Sequence, residues 1–555
     1  MLERAPGLSI LLGPPSQGTE VRRFGAAVLD HPLLASVGVG TVALVLRLLL
    51  IPWLPIPQPV VHDEFSYLLA ADTFSHGRLT NPTHPLWIHF ETFHELSHPT
   101  YASKYPPGMG MMLAFGQVMF EQPWAGVLIG FGVLCAVITW AAWVWLPPVW
   151  AIVAGILAML RLTGSSWTEG YMGGTAAAIG GALLVGAFAR LRQRTNRKAA
   201  IVYGVGLAIL ANTRPFEGLV LAVVCSAFLI VRYLRCAEAR RFIFKRVMVP
   251  IACVLVPVFV WMGYYNYRVT GNAWTLPYQA YEAQYSIWSA FLWSNTPRPV
   301  PSYHFKVLRD LWAGWDPAVK TYQRQHVVLI HFVDLLSLFR FFLGLPLFIY
   351  CVVSFGRILR DSYLRLTCTL LLLFYAGLLV EGKLLPHYFA PGTVLVFVVA
   401  AASVRFAADR FPRKVPPAWA AAGLLCCVAV FEFSRLSVPV GRLDVPDREP
   451  FREQREMVLK RLDGSPGKQL VIVDYGPQHC VHFEWVYNRA DIDGSHVVWA
   501  RAMGPERDAE LLRYFSGRHV WLLRDNAQVT LRPYGGGPVE TLPVETSKAA
   551  GDYCQ

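Results

Sequence analysis

Residues 33–67 read LLASVGVGTVALVLRLLLIPWLPIPQPVVHDEFSY. From Leu33 to Ile56 the stretch is almost wholly apolar, long enough to cross roughly 30 Å of hydrocarbon. It then breaks into His62, Asp63 and Glu64, polar residues set where the chain leaves the apolar phase. Working outward, runs of similar character recur at 125–146, 148–164, 171–190, 199–213, 215–233, 248–265, 335–356, 363–380, 387–404 and 416–434. The pattern predicts an α-helical polytopic membrane protein with about eleven transmembrane helices. Composition agrees, with 54% hydrophobic and 16% charged residues, where soluble domains carry about a quarter charged. A disordered or purely soluble chain is excluded.

Fifty Lys and Arg against 37 Asp and Glu leave a balance of +13, which in a soluble chain raises the question of nucleic acid. Placement answers it. The basic residues concentrate in alternate loops: Arg22 and Arg23, Arg190 to Lys198, Arg232 to Arg246, Arg357 to Arg365, and Arg405 to Lys414. Lys and Arg near short flanking loops are retained on the cytoplasmic side, so the excess is an orientation signal and no nucleic-acid partner is expected. The reading is a multi-pass protein of the cell inner (plasma) membrane, amino terminus inside. Residues 1–32 form a cytoplasmic segment and 33–434 the transmembrane domain, with external loops at 57–124 and 266–334. Residues 435–555 form an extracytoplasmic domain. No cleavable signal peptide is expected, because Met1 to Arg23 is largely polar and interrupted by Pro and Gly.

The exported pieces carry the candidate chemistry. A paired Asp63 and Glu64 at the membrane boundary suits a site that attracts a proton, a cation or a hydroxyl; Asp63 is equally suited to capping the helix that begins there. Downstream, Tyr101 to Gly108 reads YASKYPPG, and Lys383 to Pro391 reads KLLPHYFAP. Cationic side chains at such an interface can bind a phosphate whose lipid tail stays in the bilayer, or simply snorkel to water. Arg214 at an outer turn could meet the same phosphate, and Glu169 in a short outer loop is a candidate second acid.

An Asp-Glu pair in the first external loop, then Lys-x-Pro-Pro, then a late Lys/His-Tyr-x-x-Pro segment resembles the membrane glycosyltransferases of the GT-C fold. The nearest likeness is to protein O-mannosyltransferase and lipid A aminoarabinose transferase relatives, in layout over residues 33–434 and in motif only in patches. The resemblance implies a transferase that moves a sugar from a polyprenyl-phosphate donor to an acceptor hydroxyl at the external face, with inversion. The acceptor is a lipid, a polysaccharide or a protein. Asp63 would be the general base, with Glu64 orienting the acceptor or sharing a cation, and Lys104, Lys383, His387 and Arg214 would hold the donor phosphate. Members of this group differ on metal, so a divalent ion is an open cofactor.

Two other readings compete. A transporter or lipid-binding membrane protein would share the span count but needs ionisable residues along a pathway inside the spans, and these are sparse here. His94, Glu95 and His98 form a literal HExxH, which on a helix would ligate zinc and activate water. Pro99 disfavours a helical His98, and histidines are dense between His62 and His98, so the spacing arises easily. Residues 266–334 are rich in aromatics, including Tyr278, Tyr281, Trp312 and Trp315, suited to an interfacial lining or to stacking on sugars. Beyond residue 440 the pattern turns soluble: strands at 469–474, 497–500 and 519–523 with a helix at 506–515 predict a small α/β domain. Its expected task is acceptor binding or support of the fold, and its Cys480 is positioned to pair with Cys554 outside the membrane.

Overall fold

The computed structural model describes residues 30–235, 240–289, 291–292, 294, 297–411, 416–437, 449–526 and 528–542. Residues 1–29, most of the expected amino-terminal segment, and 438–448, just past the expected domain boundary, lie outside that set, as does Cys554 of the expected cysteine pair.

A long helical body precedes a small sheet. The principal helices are α1 (Pro32–Leu49), α2 (His62–Ser75), α3 (Pro107–Phe120), α4 (Pro123–Ala142), α5 (Pro148–Leu162), α6 (Gly174–Gln193), α7 (Arg197–Ala211), α8 (Pro215–Leu234) and α9 (Val249–Thr270). There follow α10 (Pro277–Tyr285), α11 (Asp316–Gln325), α12 (Val327–Phe342), α13 (Gly344–Arg360), α14 (Ser362–Leu378), α15 (Thr393–Ala408) and α16 (Pro417–Ser437). Their starts are written locally. Proline stands at the first helical positions of α1, α3, α4, α5 and α8, where its missing N–H costs nothing. The side chains of Asn196 and Asp361 cap α7 and α14.

Six helices among the described residues are long and apolar enough to cross a membrane, and a bent pair, Lys306–Gln325 with Val327–Phe342, adds a seventh candidate. Leu33, Val37 and Leu49 of α1 and Val256, Phe259 and Val260 of α9 are exposed, a lipid-facing surface that water would penalise. The chain is a multi-pass membrane protein. Glycines let the spans close up: a Cβ on Gly40 would sit 2.6 Å from the Gly132 carbonyl, and one on Gly126 would sit 2.0 Å from that of Met112. Small residues do this work in bilayers, where apolar burial gives no net drive to helix pairing. One expected span differs. The run 335–356 is divided between α12 and α13, with Gly344 at φ +60.

The segment at 57–124 and the terminal domain fold together. The first loop contains α2 and a short hairpin, β1 (Glu95–Leu96) against β2 (Ala102–Ser103), antiparallel with Glu95 opposite Ser103. The terminal domain has a helix, Glu449–Asp463, and five strands: β3 (Gln469–Tyr475), β4 (Val497–Arg501), β5 (His519–Asp525), β6 (Val529–Pro533) and β7 (Glu540–Thr541). Their order is β4-β3-β5-β6-β7; β3 lies parallel to both β4 and β5, and the last pairings are antiparallel. The helix Pro505–Tyr514 follows β4 and packs Leu511 on Leu470, Ile472 and Ala500, in a cluster that also takes in Leu69 and Phe90 of the first loop.

Candidate functional site

The two acids of the opening motif diverge as soon as α2 begins. Glu64 turns back: its Oε2 accepts from the N–H of Val60 at 2.8 Å and of Val61 at 3.1 Å, and its Oε1 accepts from Tyr171 N–H at 2.9 Å. All three bonds come from backbone, so the carboxylate ties the incoming loop to a distant one. Asp63, one position earlier and about 100° round the helix, faces the β1–β2 hairpin. There Tyr105 Oη donates to its Oδ1, and His94 Nδ1 lies 3.5 Å from that oxygen and 3.1 Å from the Tyr105 hydroxyl. A third of the Asp63 side chain remains exposed.

The hairpin register makes this trio. Pairing Glu95 with Ser103 sets His94 beside Lys104, whose N–H donates to the His94 carbonyl at 3.2 Å. Ser66 Oγ donates to the same carbonyl at 2.6 Å, and His94 N–H donates to Tyr281 Oη at 2.9 Å. These bonds hold His94 at φ +62, a conformation a non-glycine residue keeps only when its surroundings impose it. Lys104 is buried with its ammonium 3.6 Å from Glu282 Oε1. It sits 4.7 Å from the ring of Tyr281, 4.9 Å from Tyr278, 5.4 Å from Tyr105 and 5.5 Å from Trp312, an aromatic enclosure that favours a cation.

Two further segments converge. Gly108, opening α3, donates its N–H to the Asn212 carbonyl at 2.7 Å, which brings Arg214 at the start of α8 to the same end of the bundle. The Arg214 guanidinium lies 4.7 Å over the Tyr388 ring and 3.5 Å from Glu217, while its buried Nε has no acceptor among the described residues. His387 stands edge-on to Tyr388 at 4.6 Å. Asp63 and Arg214 both act electrostatically on His387 and on Tyr388.

Burial works against ionisation of Asp63, but His94, Tyr105 and Lys104 overcome it and hold the carboxyl well below the usual range. Burial and Lys104 pull His94 down against the opposing pull of Asp63. Burial lowers Lys104 too, with Glu282 and Asp63 pushing back. Burial and Arg214 carry His387 down to about 3. The result is a partly open carboxylate among imidazoles and two cationic side chains, one of them with an orphaned donor among the described residues, an arrangement able to take a proton beside groups able to meet an anion.

The other expected residues lie apart. Lys383 is exposed, and the acid it acts on is Asp334, which accepts from Leu384 N–H at 2.8 Å. Glu169 is 2.8 Å from Arg47, a buried guanidinium that also stacks on Trp124. The zinc-protease reading fails on local geometry, because Glu95 and Leu96 form a strand and the two histidines are not one helical turn apart. No group of three or more His, Cys, Asp or Glu among the described residues could hold a metal ion. Among the described residues, Glu64 is taken up by three backbone N–H groups and Asp63 is met by the Tyr105 and His94 side chains, a set short of the oxygen ligands a divalent ion takes. Sequence reasoning gave Glu282 no place, read Tyr105 and Tyr388 only as parts of the two motif stretches, and read Tyr278 only as one aromatic of an interfacial or sugar-stacking segment.

No family model and no curated protein matches the chain. Among solved structures, ArnT from Cupriavidus metallidurans bound to undecaprenyl phosphate is similar at 13% identity, covering 87% of this chain and 92% of that one, with a TM-score of 0.49. The Archaeoglobus fulgidus oligosaccharyltransferase tethered with an acceptor peptide is similar at 11% identity, covering 88% of this chain and 69% of that one, with a TM-score of 0.46.

Proposed function

We propose that this chain is a membrane glycosyltransferase that moves a sugar from a polyprenyl-phosphate donor to an acceptor hydroxyl on the external face of the inner membrane. The observation that carries the reading is convergence. Asp63, Lys104 with Tyr105, Arg214, and His387 with Tyr388 come from four separate segments and assemble one ionised carboxylate beside cationic groups.

In this mechanism the acceptor hydroxyl donates a hydrogen bond to Asp63, which takes its proton as the oxygen attacks the anomeric carbon. The bond from that carbon to the phosphate oxygen breaks on the opposite face, giving inversion. Charge arriving on the phosphate is met by Lys104 and Arg214, held before the reaction by the aromatic enclosure and by Tyr388. Tyr105 and His94 orient the Asp63 carboxylate. No step passes through a metal. Glu64 supports the loop, and Lys383 and Glu169 have no part in the chemistry.

The test is transfer from a radiolabelled polyprenyl-phosphate sugar in membranes bearing the full chain. Asp63→Asn is expected to lower the rate by about 10²- to 10⁴-fold while donor binding persists. Lys104→Gln raises KM for the donor, and His98→Ala leaves transfer unchanged. Wild-type transfer by Asp63→Asn would end the proposal.

A further inference from the structure

At the opposite end of the bundle from Asp63, among the basic loops, lies a cavity of about 290 Å³. It is lined by Val144 and Trp145 just beyond α4, by Ala189, Arg192 and Gln193 at the end of α6, by Arg232 near the end of α8, and by Tyr363 at the start of α14. Its polar groups are mainly donors. Arg232 Nε donates to the Arg192 carbonyl at 2.6 Å, and Tyr233 Oη donates to that of Leu191 at 3.2 Å, so α8 is strapped to the end of α6 and both guanidiniums are held at the rim. Neither Arg192 nor Arg232 has a carboxylate partner among the described residues, unlike Arg357, which meets Asp409. The neighbouring Asp361 is taken up in capping α14, and Arg190 is bound to the carbonyls of Gly186 and Trp140.

Trp145 supplies an independent sign. Its side chain is buried, and its indole N–H has no acceptor among the described residues. A buried donor without a partner is costly, and here it borders a space rimmed by two cations. A ligand that only accepts hydrogen bonds and carries negative charge completes all three groups. The apolar walls and the position at the ends of spans put that ligand at the level of lipid headgroups, where basic pockets between helices take phosphate.

We propose that this cavity binds the phosphodiester headgroup of an anionic phospholipid, with Arg192, Arg232 and the Trp145 N–H as its donors. The site is separate from the external cluster and does not depend on the proposed transfer activity.

The full chain, purified in neutral detergent, is offered phosphatidylglycerol or phosphatidylcholine in mixed micelles, and lipid retention is read by native mass spectrometry. Wild type is expected to retain phosphatidylglycerol preferentially. Arg192→Ala and Trp145→Phe each weaken that retention, together by about tenfold, the effect of losing charge-assisted bonds. A control, Arg197→Ala with Lys198→Ala, removes two charges from the same face outside the cavity and leaves retention unchanged. Inorganic phosphate at millimolar concentration does not compete. Equal loss in the control, equal retention of phosphatidylcholine, or displacement of the lipid by inorganic phosphate each overturns the assignment. If Trp145→Phe lowers the melting temperature, the exposed Arg192→Ala decides alone.

Discussion

Asp63 stays ionised in a setting that burial makes unfavourable, because Tyr105, His94 and Lys104 all favour its charged form. A group whose folded pKa is depressed adds stability that is present above its unfolded pKa and is lost as pH falls through the depressed value. In the proposed reaction Asp63 is therefore competent throughout the ordinary carboxylate range, and the acid limb of the rate profile is expected below it. Tyr105→Phe removes a hydrogen bond to the charged carboxylate. The Asp63 pKa then rises and the acid limb moves upward, as rate-against-pH profiles of the two proteins will register; an unmoved limb with a lower plateau would assign Tyr105 to packing alone. Asp63 was legible in the sequence because an acid at the exit of an apolar run needs a reason. The opposite orientation of Glu64 was not, since its carboxylate is claimed by Tyr171, a backbone partner 107 residues away. The HExxH string is a decoy for a related cause: spacing is blind to whether a segment is helix or hairpin, and here Ser66, Tyr281 and the pairing with Ala102 and Ser103 impose the hairpin.

At the scale of elements, apolar periodicity located the helical segments but could not see what divides them. The run expected as one span at 335–356 is broken at Leu343 and Gly344, and the break is satisfied from far away. Arg161 of α5 donates to the carbonyls of Arg340 and Phe341 at the end of α12 while pairing with Glu432 of α16. Free carbonyls at membrane depth require such a partner, and nothing local to 335–356 announces it. The same long-range logic sets the site. A Cβ at Gly181 of α6 would meet the Pro391 carbonyl at 2.0 Å, and Pro391 ends the turn that carries His387 and Tyr388. Gly181→Ala therefore displaces that turn. Overpacking of this kind costs about 1 to 3 kcal/mol, visible as a lower melting temperature in detergent. It also lowers transfer without shifting the acid limb set by Asp63. A variant that melts lower yet transfers at the wild-type rate would uncouple the turn from the site.

Over the whole molecule, the terminal domain and the loop at 57–124 share one interior. Leu470, Ile472, Val498 and Ala500 of the sheet pack with Leu69, Phe90 and Tyr101 of the loop, while the opposite face of the sheet packs with Val60. Polar ties reinforce the contact: Asp72 accepts from Ala490 N–H at 2.8 Å, His62 Nδ1 meets the Tyr487 hydroxyl at 2.7 Å, and Arg501 Nε donates to the Glu91 carbonyl at 2.6 Å. The strand pattern of the domain was readable from alternation, and support of the fold was one of the two tasks expected of it, but the contacts themselves were not readable, because they join residues some 400 positions apart. Arg501 concentrates the coupling. It is buried and its Nη2 lies 2.6 Å from Glu484, so Arg501→Ala leaves a carboxylate buried without its cation, a loss of about 3 to 5 kcal/mol. Hydrogen exchange should then rise across residues 91–105 as well as in the sheet, and transfer should fall although Asp63, Lys104 and Arg214 are untouched. Adding Glu484→Gln removes the stranded charge and restores part of the stability, giving a non-additive cycle. Exchange confined to the sheet, with the hairpin as protected as in wild type, would mean that the domain rides on the loop rather than bracing it.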